Sequence, residues 1–272
     1  MKRLPFSHGV VSLAALDLRR RPDHRGELGS QLLIGEVVRI LEASRDGLWW
    51  RVRNLADGYE GWVRTWGLVG ASARRAARWA RLARARVLRI CVEAHATPAG
   101  GALTSPLFWN GRVIAGRRSG RRVAVELPDG RRGWVDSGSI ATRPVKIPLA
   151  ERVKSLLGVP YLWGGRTPLG FDCSSFTQQV LAEQGCALPR DAQQQFAACR
   201  PLASRAEARE GDLIFFGRPR GPVGHVGLAL GGGYYAHARR SVHIGSLDDG
   251  NPLYESDLGA QLRGFGRPRK QA

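Results

Sequence analysis

The chain has 272 residues, enough for one large domain or two to three small ones. A hydrophobic fraction of 43% and a charged fraction of 24% exclude a disordered or fibrous chain and allow a packed core. The formal net charge is +19; only Lys2, Lys146, Lys154 and Lys270 among the 42 basic residues are lysines, so Arg supplies the rest. No basic run is interleaved with a nucleic-acid-binding motif. The charge therefore reads as a solvated, Arg-biased surface, and nucleic acid is not expected as a partner.

The N-terminus begins Met1-Lys2-Arg3, but Pro5, Ser7 and His8 break any secretory core, and charged residues from Asp17 to Arg21 follow closely. No stretch approaches the roughly 20 apolar residues of a membrane span. The expectation is a cytoplasmic protein without a membrane segment. Nothing in the sequence sets an oligomeric state, and a monomer is the working assumption.

Residues 10–70 read as about five short strands. Val10–Leu13 opens, Gln31–Leu41 is a β-rich run with an internal turn, and Trp49–Arg53 follows the Asp46-Gly47 turn signal. Asp57-Gly58-Tyr59-Glu60-Gly61-Trp62-Val63 gives a turn and another strand. So many short strands in 60 residues make a small barrel. Residues 71–85, dominated by Ala, Arg and Leu, read as a linker with helical character.

Residues 86–142 read as a second barrel, opened by Arg86–Ile90. Its Asp129-Gly130-Arg131-Arg132-Gly133-Trp134-Val135 repeats the D-G-x-x-G-W-V of Asp57–Val63, which points to an internal duplication. From residue 148 the period changes. Leu149, Val153 and Leu156 mark a helix stopped by Gly158 and Pro160. Ser174–Glu183 reads as a second helix ended by Gly185, and a short third starts near Asp191. Strands then follow at Asp212–Phe216, His225–Leu230 and Tyr234–Ala238. Helices first and strands after is an α+β order.

The cysteines are Cys91, Cys173, Cys186 and Cys199, with no C-x-x-C pair and no zinc-type Cys/His spacing. This predicts no disulfide scaffold, no metal and no cofactor. It leaves room for one reactive thiol among inert ones. Cys173, in Asp172-Cys173-Ser174-Ser175, sits where a loop enters a helix. There the helix dipole and free backbone N–H groups favour the thiolate. The competing reading is a buried Cys beside Phe171 and Phe176.

A nucleophile needs a base. His225 starts one strand, Gly231-Gly232-Gly233 forms a turn, and His237 lies on the returning strand. If the loop holds an odd number of residues, both histidines face one side of the hairpin, with Cβ atoms about 4.5–8 Å apart. That arrangement makes a base and its orienter. The competing reading is two unrelated polar residues at strand ends.

Five blocks carry a family resemblance. They are Tyr161-Leu162-Trp163-Gly164-Gly165, Phe171-Asp172-Cys173-Ser174, Leu188-Pro189-Arg190-Asp191-Ala192, Gly211–Phe216 and His225-Val226-Gly227. In this order and spacing, over about 110 residues, they resemble the NlpC-type cell-wall cysteine peptidases. The resemblance implies a papain-like domain at 143–272, preceded by two SH3-like barrels at 1–70 and 86–142 around the 71–85 linker. It implies Cys173 as nucleophile, His225 as base and His237 as the third polar residue, working as a thiolate–imidazolium pair. Tyr161 would help hold the oxyanion, while Trp163 reads as a core aromatic. Ser175 departs from the family's usual Gly, at a helical position where Ser costs little.

The front domain resembles that of γ-D-glutamyl-L-diamino-acid endopeptidases through Asp17–Arg19, Glu27, Gln31–Glu36 and Asp57–Trp62. This implies a murein stem peptide with a free L-Ala amine as substrate, cut between D-Glu and the diamino acid. Glu27, Tyr59 and Asp172 are the implied amine-binding residues, with Ser174, Arg190 and Asp191 also placed near the substrate. Each has a plainer reading. Glu27 is equally a loop charge, Tyr59 barrel packing, Asp172 a helix cap, and Arg190 with Asp191 an intradomain ion pair. Two other functions compete: a secreted or periplasmic hydrolase of intact wall, and a non-catalytic wall-binding scaffold.

Overall fold

The computed structural model describes residues 4–143, 145 and 147–269. They form two compact units, 1–145 and 146–272. No helix among the described residues is long and apolar enough to cross a membrane.

The first unit holds two seven-stranded antiparallel sheets. The first comprises β1 (His8–Val11), β2 (Ala15–Arg19), β3 (Leu28–Leu33), β4 (Val37–Ala43), β5 (Trp49–Asn54), β6 (Glu60–Arg64) and β7 (Leu68–Ala71). Helix α1 (Ala73–Leu82), capped by the Ser72 hydroxyl, follows within the stretch expected to be helical. The second sheet comprises β8 (Ala85–Val87), β9 (Cys91–Thr97), β10 (Gly100–Phe108), β11 (Arg112–Ser119), β12 (Arg122–Glu126), β13 (Arg132–Asp136) and β14 (Ile140–Ala141). The strand orders are β3-β2-β6-β5-β4-β1-β7 and β10-β9-β13-β12-β11-β8-β14, the same permutation offset by seven.

The repeated D-G-x-x-G-W-V has the same physical content in both copies. The Asp57 and Asp129 carboxylates accept from the N–H two residues on, each at 3.1 Å. Gly58 and Gly130 have positive φ, which their lack of Cβ permits. The second glycines let strands approach: a Cβ on Gly61 would meet Leu18 at 2.0 Å, and one on Gly133 would meet Ala94 at 2.9 Å. Val63 and Val135 then enter the two cores, fully buried.

The second unit begins with α2 (Leu149–Leu156), β15 (Arg166–Thr167), β16 (Gly170–Phe171), α3 (Cys173–Glu183) and α4 (Ala192–Ala198). β17 (Arg200–Leu202), β18 (Leu213–Gly217), β19 (Val223–Gly231), β20 (Tyr234–Ala238), β21 (Val242–Ser246), α5 (Ser256–Gly259) and β22 (Leu262–Arg267) follow. Its antiparallel sheet runs β17-β22-β18-β19-β20-β21. Arg152 of α2 makes a bidentate ion pair with Glu183 of α3, at 2.8 and 2.7 Å, with both side chains buried. That pair holds the base of α3, the helix whose other end carries Cys173.

Candidate active site

Cys173 is the first residue of α3, and the turn before it is tied down from several sides. Asp172 caps the helix, its Oδ1 accepting from the Ser175 N–H at 2.8 Å. Ser175 returns the contact by accepting from the Asp172 N–H at 3.1 Å, which completes a capping box. The Ser175 hydroxyl also donates to the Gly165 carbonyl at 2.5 Å. The residue that looked neutral in the sequence thus fastens the nucleophile's helix to the loop before it. In that loop Gly164, at positive φ, aims its N–H at Asp172 Oδ2, 3.1 Å away.

Arg190 completes this platform. Its guanidinium pairs with both Asp172 oxygens, at 3.0 and 2.6 Å, and donates to the Ser174 hydroxyl at 3.0 Å. Ser174 in turn donates to Asp172 Oδ1 at 3.2 Å. The Arg190 side chain is only 1% exposed. These contacts support the plainer readings of Asp172 as a helix cap and Arg190 as an intradomain ion-pair partner. Five donors already occupy a carboxylate with about four acceptor sites, and the arginine is an intradomain ion-pair partner. Asp191 precedes α4, where its N–H donates to Gln194 Oε1 at 3.3 Å.

The base lies on the sheet. The hairpin turn is Gly232-Gly233, both at positive φ, and a one-residue bulge separates the pairs Ala229↔Tyr235 and Gly231↔Tyr234. Turn and bulge together supply the odd count that parity requires. The pairing Leu228↔Ala236 sets Gly227 opposite His237, so His225 is its diagonal neighbour on the same face. Their rings meet, with His225 Nε2 2.8 Å from His237 Nδ1. His237 is wholly buried, and His225 partly so. Cys173 reaches the same strand, where the Val226 N–H stabilises its sulfur.

Burial opposes the acidity expected of the thiol. Cys173 is pushed up to about 12, first by desolvation and then by the Asp172 charge, against the smaller pull of the Val226 N–H, Arg190 and the Ser174 N–H. His225 is pushed down to about 4 by desolvation, with Arg239 and His243 adding positive field. Desolvation also depresses His237, followed by the influence of His225. Both shifts favour a neutral thiol and a neutral imidazole over the thiolate–imidazolium pair expected from the helix start. Sequence shows the helix dipole but not how deeply the sulfur is buried.

Tyr161 is held by its N–H donating to the Arg240 carbonyl at 2.9 Å. Burial, with Cys173 and Asp172 adding, raises its phenol well above the usual range, so it stays an O–H donor. Trp163, expected in the core, is 61% exposed. Tyr59 is buried in the first sheet's core, with the Arg20 guanidinium over its ring. Glu27 is exposed on the loop before β3.

Three residues of this neighbourhood escaped the sequence reading. Gln195, fully buried, donates to the carbonyls of Ser174 and Pro189, each at 2.9 Å, and accepts from Thr177. His243 pairs directly with His237 across β20 and β21. Glu255 brings its carboxylate to both histidines, 3.3 Å from each. Only the repeated glutamines after Arg190 offered any sequence signal, and that was weak.

Comparison with known proteins gives these residues a context. Residues 158–258 match the NlpC/P60 family, and residues 18–68 match the bacterial dipeptidyl-peptidase SH3 domain. A Bacillus subtilis γ-D-glutamyl-L-lysine dipeptidyl-peptidase is 39% identical over 114 residues, which cover 40% of this chain and 38% of that protein. A Lysinibacillus sphaericus dipeptidyl-peptidase 6 is 25% identical over 288 residues, covering 95% of this chain and 98% of the relative. A crystal structure of an NlpC/P60 family protein from Bacillus cereus superposes with a TM-score of 0.81 at 22% identity, over 96% of this chain and 99% of that one, and so shares the fold.

Proposed function

Because residues 158–258 match the NlpC/P60 family and residues 18–68 the bacterial dipeptidyl-peptidase SH3 domain, we propose that the chain is a cysteine peptidase that hydrolyses the γ-D-Glu–diamino-acid bond of murein stem peptides bearing a free N-terminal L-Ala. The names of two relatives, a γ-D-glutamyl-L-lysine dipeptidyl-peptidase and a dipeptidyl-peptidase 6, support this substrate class. A free amine on the substrate suits peptides already released from the wall, and so recovery of wall peptides in the cytoplasm.

The observation that carries the chemistry is the 2.8 Å contact between His225 Nε2 and His237 Nδ1, on the strand that also reaches Cys173. With the proton on His225 Nε2 and accepted by His237 Nδ1, the Nδ1 of His225 is left as the basic nitrogen. It takes the Cys173 proton as sulfur attacks the γ-carbonyl carbon of D-Glu. The Cys173 backbone N–H and the Tyr161 hydroxyl stabilise the oxyanion. The C–N bond then breaks as His225 returns the proton to the leaving amine. Water, deprotonated by the same nitrogen, hydrolyses the thioester and restores the thiol.

The test is turnover of L-Ala-γ-D-Glu-diaminopimelate, its L-Lys counterpart, and the N-acetylated form of each. Release of L-Ala-γ-D-Glu from the free-amine peptides alone supports the reading. Equal cleavage of acetylated peptides removes the amine requirement. No cleavage of any, with intact murein also untouched, removes the peptidase assignment.

A further inference from the structure

On the side of His237 away from His225 lies a second cluster, built on the ring nitrogen that the peptidase chemistry does not use. His237 and His243 are paired across β20 and β21 with ring centroids 4.2 Å apart. Glu255, just before α5, spans them: Oε2 lies 3.3 Å from His237 Nε2, and Oε1 lies 3.3 Å from His243 Nε2. One ligand atom from each residue falls within 4.8 Å of the others.

Two features mark this cluster as a candidate ligand set. His237 Nε2 and Glu255 Oε2 are both buried, and neither has a hydrogen-bond partner despite the short distance between them. Orphaned buried polar atoms facing one another are costly unless something sits between them. The other feature is the tautomer of His243. Its Nδ1 lies 2.9 Å from the Ser241 carbonyl, which only accepts, so Nδ1 carries the proton. Its Nε2 is then the nitrogen that faces Glu255, 3.3 Å from Oε1. Nearby, Arg239 is paired with Asp257, one contact being 3.1 Å, and also reaches Glu255 Oε1 at 3.8 Å.

We propose that His237, His243 and Glu255 form an inhibitory divalent-metal site suited to Zn2+. Two imidazoles and a carboxylate are a zinc donor set, and Zn–N bonds of about 2.0–2.1 Å place tetrahedral neighbours about 3.3–3.4 Å apart. The His237–Glu255 Oε2 separation matches that spacing, and His243 Nε2 lies as close to the other oxygen of the same carboxylate. The Ser241 carbonyl acts as the outer partner that fixes a ligating histidine's tautomer. A water completes the shell.

Inhibition follows from proton placement and rests on the peptidase reading above. Metal takes the lone pair of His237 Nε2, so the one proton of the neutral ring sits on Nδ1 instead, by exchange through solvent with no net proton lost. That N–H then donates to His225 Nε2, so the His225 proton moves to Nδ1. The nitrogen that must accept the Cys173 proton is then occupied.

Zinc binding to the Cys173→Ala protein, read by competition with a chromophoric chelator and by the absorption spectrum of the Co2+ form, tests the site without turnover. The proposal expects one more equivalent bound by Cys173→Ala than by Cys173→Ala/His243→Ala, and a tetrahedral Co2+ spectrum only in the former. Equal binding by the two overturns it. In turnover assays, His243→Ala keeps its activity in chelator and needs at least tenfold more zinc for half-inhibition. Equal zinc sensitivity of wild type and His243→Ala overturns the inhibitory role and points to the Cys173 thiol instead. If His243→Ala melts like an unfolded chain, Glu255→Gln carries the same comparison. A protein that binds zinc but cleaves no peptide would leave the metal site standing and remove the peptidase reading.

Discussion

Alkylation of Cys173 by iodoacetamide should accelerate about tenfold per pH unit from pH 6 to pH 10, with no plateau. Burial raises the Cys173 thiol to about 12 and lowers His225 to about 4, so both shifts oppose transfer of the thiol proton to the imidazole in the resting enzyme. The sign follows from the direction of the shift. A thiol raised by burial is uncharged throughout the neutral range, so its reactivity tracks a small and rising thiolate fraction. The rate is read by peptide-level mass spectrometry in chelator, with exposed Cys91 and the urea-unfolded chain as references. A rate that is flat from pH 5 to pH 8 and falls only in acid would show a resting thiolate–imidazolium pair and refute the argument.

Three further outcomes follow from the same contacts. Glu183→Ala leaves the Arg152 guanidinium buried without its bidentate partner, and should cost about 3–5 kcal/mol in denaturant unfolding. Ser175→Ala loses the reciprocal cap and the bond to Gly165; it should cost about 1–2 kcal/mol, with Ser175→Thr retaining part of it. His237→Ala should lower kcat by about 10²–10⁴ with little change in KM, because it removes the acceptor that sets the His225 tautomer and not a substrate contact.

The sequence was most legible where local chemistry sets geometry. An Asp before a Cys at a helix start announces a cap, and the capping box is there. The hairpin histidines were readable up to one unknown, the loop's parity, which a bulge at Leu230 decides. The twin D-G-x-x-G-W-V segments end in twin sheets because both glycines of each copy meet a steric demand. Burial was the hidden variable elsewhere. It reverses the direction of the Cys173 shift, draws Arg190 into an ion pair and leaves Trp163 at the surface. The cluster of His237, His243 and Glu255 was illegible because one ligand comes from each of three segments, with no spacing signature. Only the β20–β21 register and the approach to α5 bring them together.

The most direct test of the account is the rate at which Cys173→Ala releases L-Ala-γ-D-Glu from the free-amine tripeptide, measured against the wild-type chain in the presence of chelator. With the capped helix start intact and only the sulfur removed, the account predicts a fall of at least about 10³-fold with an unchanged melting transition. Release within tenfold of the wild-type rate would contradict it, because the bond would then be broken without the one thiol that the histidine pair is placed to serve.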